Sequence, residues 1–146
     1  GGYMMRKIVI ASHGEFARGL KNSVEMIVGD LAKEIDTYCL YPSCSPRDYT
    51  DQMEAVIASH PEDEFIFLCD VKGGSVHTAV SQLCRFENVV VFGGVNMSIV
   101  LDLLLSTPER ICVNPAIQER LVRAGQEGLC VTNYQKIQKP CEEEDF

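Results

Sequence analysis

Lys7-Ile8-Val9-Ile10-Ala11-Ser12-His13-Gly14 holds a short apolar run, β-branched from Ile8 to Ile10, that turns polar again at Ser12. A strand that is apolar without alternation is buried on both faces, which is the signature of a central strand in a parallel sheet covered by helices. A helix is expected directly after it. Phe16, Leu20, Val24 and Ile27 recur at helical spacing, and Gly29 supplies a stop. Phe65-Ile66-Phe67-Leu68-Cys69 repeats the pattern and runs into Asp70-Val71-Lys72-Gly73-Gly74-Ser75, where another helix should begin with Val76, Ala79, Val80 and Leu83 on its inner face.

The remaining segments fit the same alternation. A weaker strand is expected over Glu34 to Leu40, then a turn at Tyr41-Pro42-Ser43-Cys44. Ser45-Pro46 reads as an N-cap followed by proline at the first helical position. Tyr49, Met53, Val56 and Ile57 would carry the buried face of that helix. Val89 to Phe92 is a further strand, Met97 to Ser106 a helix stopped by Pro108, and Asn114-Pro115 the start of a helix ending near Gly125. Gly128 to Tyr134 alternates weakly, as a late edge strand would. Strand–helix alternation of this kind gives a doubly wound α/β fold, a mostly parallel sheet with helices on both faces. Ligands in such sheets sit beyond the carboxyl ends of strands, where the strand order reverses.

Bulk properties narrow the function. The chain has 146 residues, a length that suits one domain. Residues 1–5 are expected to be an extension with Gly1-Gly2 as a cloning remnant, residues 6–137 the domain, and residues 138–146 a mobile acidic tail. The net charge of −8 opposes nucleic acid and anionic lipid as partners. Seven cysteines (Cys39, Cys44, Cys69, Cys84, Cys112, Cys130 and Cys141) form no C-x-x-C pair, and most lie in apolar runs. An odd count without metal-ligand spacing argues for small hydrophobes in a reducing cytoplasm, with neither a disulfide framework nor a metal site. No Walker-type or G-x-G-x-x-G motif occurs, so no nucleotide cofactor is expected.

Three expected strand ends carry chemistry. His13 leaves the first strand and precedes Gly14, which permits a sharp turn and keeps bulk away from the ring. Imidazole is nucleophilic when neutral and has an unperturbed pKa of about 6.5, so it can hold a phosphoryl group as a labile phosphoramidate. Asp70 could bond one imidazole nitrogen, fix the tautomer and stabilise the imidazolium. Gly73-Gly74-Ser75 precedes a helix and offers amides, a hydroxyl and the helix dipole as an anion cradle. Taken alone, each has a plainer reading: a histidine bonded to a loop carbonyl, a capping aspartate, a strand-to-helix turn. Ser12, Gly14, Lys72 and Asn96 are candidate rim residues, and His77 could face the pocket.

These residues resemble the IIA component of the mannose/fructose/sorbose-type sugar phosphotransferase system. Ser12-His13-Gly14 matches the family's S-H-G or T-H-G step, and Asp70, Gly73, Gly74 and Ser75 match D-x-x-G-G-S-P-x-N. Gly94-Val95-Asn96-Met97 matches G-V-N-[LIM]-P, and Gln126-Glu127-Gly128 is similar to the R-E-G step before the last strand. The resemblance implies a histidine phosphocarrier, with His13 receiving phosphate from HPr and donating it to a IIB component that serves a membrane IIC/IID complex. It also implies a five-stranded sheet whose antiparallel last strand, here Gly128 to Tyr134, is exchanged in a homodimer. The chain departs from the family at Lys72, Val76, Thr78 and Ser98, which the resemblance would place on the pocket rim. A regulatory phosphate-sensing module on the same fold, a phosphotransfer subunit for dihydroxyacetone kinase, and a flavodoxin-like cofactor protein are the alternative readings. The first-strand loop His13-Gly14-Glu15 is too poor in hydroxyls for the last of these.

Overall fold

The structure, a computed structural model, describes residues 5–138. Gly1-Gly2 and the acidic tail from residue 139 onward lie outside the described residues. Four strands form one parallel sheet: β1 (Arg6–His13), β2 (Asp36–Leu40), β3 (Glu64–Cys69) and β4 (Val89–Gly93). Their order is β2-β1-β3-β4, so the winding reverses between β1 and β3. Helices α1 (Phe16–Val28), α2 (Pro46–Ser59), α3 (Ser75–Ser81), α4 (Met97–Ser106), α5 (Pro115–Glu127) and α6 (Tyr134–Gln138) connect or follow them. Among the described residues no helix is long and apolar enough to cross a membrane.

The period-2 geometry of the central strands divides the core. Ile8, Ile10, Ile66 and Leu68 face a cluster with Ala17, Leu20 and Val24 of α1, Val100 and Leu103 of α4, and Leu121 of α5. Val9, Ala11, Phe65, Phe67 and Cys69 face the other cluster, with Ile57 of α2 and Val76 and Val80 of α3. Every residue of β3 is buried, which is why its run from Phe65 to Cys69 is apolar without alternation.

The helix caps follow the sequence. Ser45 Oγ accepts the Arg47 N–H at 3.2 Å with Pro46 behind it, and Asn114 Oδ1 accepts the Ile117 N–H at 3.3 Å ahead of α5. The helix faces are less faithful. Phe16 and Ile27 are exposed, and the inner face of α1 runs through Ala17, Leu20 and Val24 instead. Val56 is likewise exposed, and Thr50 takes a buried place beside Ile57 on α2. Both shifts have one cause: periodicity gives the stripe, but the angle at which the helix lies on the sheet decides which edge of the stripe is covered. Three of the described cysteines, Cys44, Cys84 and Cys130, are exposed rather than packed, because they lie outside the core strands.

Residues 128–133 form no strand, and α6 follows them. The expected antiparallel fifth strand is therefore not present in the sheet of this single chain. A strand exists only where a ladder partner accepts its amides, and among the described residues no strand pairs with that segment.

At the amino ends of the central strands a buried carboxylate closes the bottom of the sheet. Glu64 is fully buried, and its Oε2 accepts the amides of Ile111 at 2.5 Å and Cys112 at 2.8 Å. Its Oε1 meets Arg6 Nε at 3.4 Å, and the same guanidinium donates to the carbonyls of Thr107 and Glu109. Glu64→Ala would strand the Arg6 charge and two buried amides. It is expected to lower stability by about 3–5 kcal/mol, read from the urea midpoint of unfolding.

Candidate active site

The site lies where the winding reverses. Loops leaving β1 and β3 depart to opposite faces of the sheet, with α1 on one side and α3 on the other, and a crevice opens between them. The parallel register pairs Ala11 with Cys69, so the next residues of both strands, ending in His13 and Asp70, emerge side by side.

His13 is held at three points. Its backbone N–H donates to Asp70 Oδ2 at 2.8 Å, and the same oxygen lies 2.9 Å from Nδ1. Nε2 lies 3.1 Å from Ser75 Oγ. An ionised carboxylate can only accept, so Nδ1 carries a hydrogen, and in the neutral ring Nε2 keeps its lone pair as the acceptor for the Ser75 hydroxyl. The imidazole side chain is 47 % exposed, whereas the carboxylate that orients it is 11 % exposed.

Asp70 is pulled in two directions. Burial pushes its carboxyl pKa up, but hydrogen bonds from the His13 backbone and ring and from the Val71 amide, with the charge of His13, bring it below its ordinary value. Oδ1 has no hydrogen bond of ordinary geometry among the described residues. The Oδ2 contacts are short and doubled, and they favour the ionised carboxylate. The adjacent Cys69 thiol is pushed up to about 12 by burial and then by the Asp70 charge, so it remains protonated and inert beside the site.

The glycine cradle is only partly available. The Gly73 N–H donates to His77 Nδ1 at 2.9 Å, and the Gly74 N–H donates to the Val71 carbonyl at 3.0 Å. What faces His13 is the Ser75 hydroxyl at the start of α3, whose first-turn amides have no intrahelical acceptor. Gly74 matters for space: a methyl group there would come within 3.4 Å of His13 Cε1 and 3.3 Å of the Val71 carbonyl.

Of the expected rim residues, Gly14 turns at φ 54 beside the ring, and its N–H donates to the Leu40 carbonyl at 2.7 Å. Ser12 is not on the rim. It is fully buried, with Oγ accepting the Ala17 N–H at 2.7 Å and donating to the Gly14 carbonyl at 3.2 Å, so it fastens α1 to β1. Asn96 is also structural: Oδ1 caps the Ile99 N–H at 3.0 Å, and Nδ2 donates to the Gly125 carbonyl at 2.8 Å, joining α4 to α5. Lys72 is exposed and lines a separate groove beside β4. Val76, expected on the rim, is buried in the core.

One wall of the site has no expectation behind it. A groove of about 410 Å³ runs from His13 and Gly14 along Leu40, Tyr41, Pro42, Ser43 and Cys44. The Cys44 N–H donates to the Tyr41 carbonyl at 3.1 Å, and Ser43 stands at φ 72. This is a turn with proline second and a left-handed third residue, where glycine is usual. The Pro42-Ser43 pair marked a turn in the sequence, but nothing there said that it would stand next to His13.

Comparison with known proteins gives a consistent result. The family model for the PTS system fructose IIA component, EIIA-man, matches residues 7–118. The sorbose-specific EIIA component of the PTS from Klebsiella pneumoniae is 23% identical over 97 residues, spanning 66% of this chain and 70% of that protein. A crystal structure from Klebsiella pneumoniae, described as a phosphoenolpyruvate-dependent sugar phosphotransferase system permease, superposes with a TM-score of 0.76 at 29% identity, over 92% of this chain and 98% of that one. The PTS IIA protein associated with the fucose utilization operon of Streptococcus pneumoniae gives 0.70 at 26% identity, over 95% and 100%.

The Asp70 shift fixes the sign of an acid effect. A carboxyl held below its ordinary value of 3.8 contributes stability that is present above that value and lost as pH falls through the folded one. Wild type should therefore lose its advantage over Asp70→Asn as pH is lowered below about 4, in denaturant titrations run at a series of pH values.

Proposed function

The chain belongs to the EIIA-man family of sugar phosphotransferase components, and from that membership we propose that it is a cytoplasmic phosphocarrier that accepts a phosphoryl group on His13 from phospho-HPr and donates it to a IIB component. The observation that carries this reading is the division of labour between the two ring nitrogens: Nδ1 is engaged by Asp70, while Nε2 faces the open side with only a hydroxyl on it. The Nε2 lone pair attacks phosphorus, the N–P bond of the donor breaks, and the donor imidazole leaves with the electron pair. The hydrogen on Nδ1 stays in its bond to Asp70, which offsets the positive charge that the ring gains. The Ser75 hydroxyl turns from Nε2 to a phosphoryl oxygen, joined by the first amides of α3. The donor protein would cover the groove beside the Tyr41–Cys44 turn, because that groove contains His13.

Two features favour the exchanged dimer that the family resemblance implies. β4 is the last strand in the order, and the groove beside it, of about 490 Å³, is lined by Val91, Phe92, Gly93 and Leu129 among others. Leu129 and Val131 are 83% and 63% exposed and alternate as strand residues do. The 128–134 segment of a second copy, paired antiparallel on β4, would cover both. Leu129→Asp is expected to shift the protein from dimer to monomer in analytical ultracentrifugation.

Incubation with phosphoenolpyruvate, enzyme I and HPr should label wild type and leave His13→Ala unlabelled. Asp70→Asn should slow transfer about a hundredfold, the range of a lost acid–base orienter. Label that persists in His13→Ala would overturn the assignment.

A further inference from the structure

We propose that His77 is a positioning residue, holding the Gly73-Gly74-Ser75 loop against His13 through the Gly73 amide. The inference rests on the phosphocarrier reading of His13 and concerns how Ser75 is kept in place.

The loop needs an external hold. Gly73 stands at φ 81, a left-handed conformation, and has no side chain with which to anchor itself. His77 Nδ1 accepts the Gly73 N–H at 2.9 Å, and Thr78 Oγ1 reaches the Gly73 carbonyl at 3.4 Å. The Thr78 N–H closes the next link, donating to the Gly74 carbonyl at 2.8 Å. The loop is thus gripped at successive peptide groups from one turn of α3. Two residues further along lies the Ser75 hydroxyl on His13 Nε2.

His77 is itself seated firmly. Its ring lies against the Gly93 backbone at the end of β4, so close that a methyl group at Gly93 would come within 2.8 Å of Nε2 and 3.0 Å of Cδ2. An aromatic side chain fits there only because position 93 has no Cβ. A line of contact therefore runs from the end of β4, through the His77 ring and the Gly73 amide, to Ser75 and the reacting nitrogen. Because Nδ1 accepts, the neutral His77 ring carries its hydrogen on Nε2. His77 touches neither the phosphoryl group nor the reacting atoms in this scheme.

Two substitutions separate positioning from simple packing. His77→Phe keeps a flat ring on Gly93 and removes the acceptor, whereas His77→Asn keeps an acceptor near the Nδ1 position. The readouts are the rate of transfer from phospho-HPr and the ring 15N shifts of His13 in the unphosphorylated protein. His77→Phe is expected to lower the maximal rate about tenfold with the half-saturating phospho-HPr concentration unchanged, and to move the His13 Nε2 resonance. His77→Asn is expected to restore most of the rate and the wild-type resonance. In a Ser75→Ala background the additional loss from His77→Phe should shrink, since both act on one contact. If His77→Phe does not fold, His77→Gln, which moves the acceptor to the Nε2 side, serves as the loss variant. A loss variant with wild-type rate and shifts, or an Asn variant that falls as far as Phe, overturns the proposal. If wild type takes no label from phospho-HPr, the phosphocarrier reading fails, and the His13 shifts still decide whether His77 holds Ser75.

Discussion

The parallel ladder between β1 and β3 is the constraint on which the rest depends. Its register sets Arg6 against Glu64 at one end and Ala11 against Cys69 at the other. A parallel pair has one register compatible with burying both strands on both faces, because a slip by one residue exchanges the two apolar clusters. That single choice places an ion pair at the bottom of the sheet and an imidazole–carboxylate pair at the top. The lower pair is sealed: Glu64 is fully buried and its acceptors are taken by Ile111, Cys112 and Arg6. The upper pair is left half open, with Asp70 shielded and His13 outside it.

The same two kinds of group thus do different work because of access to water. A sealed carboxylate with all its acceptors engaged fixes the loop from Thr107 to Cys112. A carboxylate beneath an exposed ring keeps its charge through hydrogen bonds from His13 and so orients the imidazole. Access at the top follows from the winding. Because β1 and β3 send their chains to opposite faces, a crevice opens at the ends of these two strands. The helix faces then finish the site: Val76 and Val80 bury α3 against the sheet, and that packing sets the height at which Ser75 meets Nε2.

Much of this was legible in the chain. Unbroken apolar runs gave the central strands, Ser45-Pro46 and Asn114-Pro115 marked helix starts, and Pro108 marked the end of α4, since each of these signals acts through local backbone chemistry. His13, Asp70 and Ser75 could be named because they end strands or begin a helix in a fold whose ligands bind at such ends. The errors share a different origin. Ser12 precedes His13 and Asn96 follows the fourth strand in the G-V-N segment, which makes both candidates for the rim, yet their side chains are spent on the backbone of α1 and on α4 and α5. Phe16 and Ile27 belonged to a correct stripe with the wrong edge covered. Gly73 and Gly74 looked like free donors, and their amides are satisfied by His77 and Val71.

The sequence by itself determined the α/β class, the central strands, most helix limits and the candidate pair His13 and Asp70, because these depend on periodicity, caps and residue chemistry within a few positions. Only the tertiary structure decided that Asp70 reaches Nδ1 and Ser75 reaches Nε2, that the Tyr41–Cys44 turn walls the site, and that His77 grips Gly73 while resting on Gly93. These contacts join residues brought together by strand order and by the tilt of α3 on the sheet. Neither leaves a trace in local sequence, since hydrogen-bond partners are assigned by distance in space and a residue's own neighbours do not reveal them.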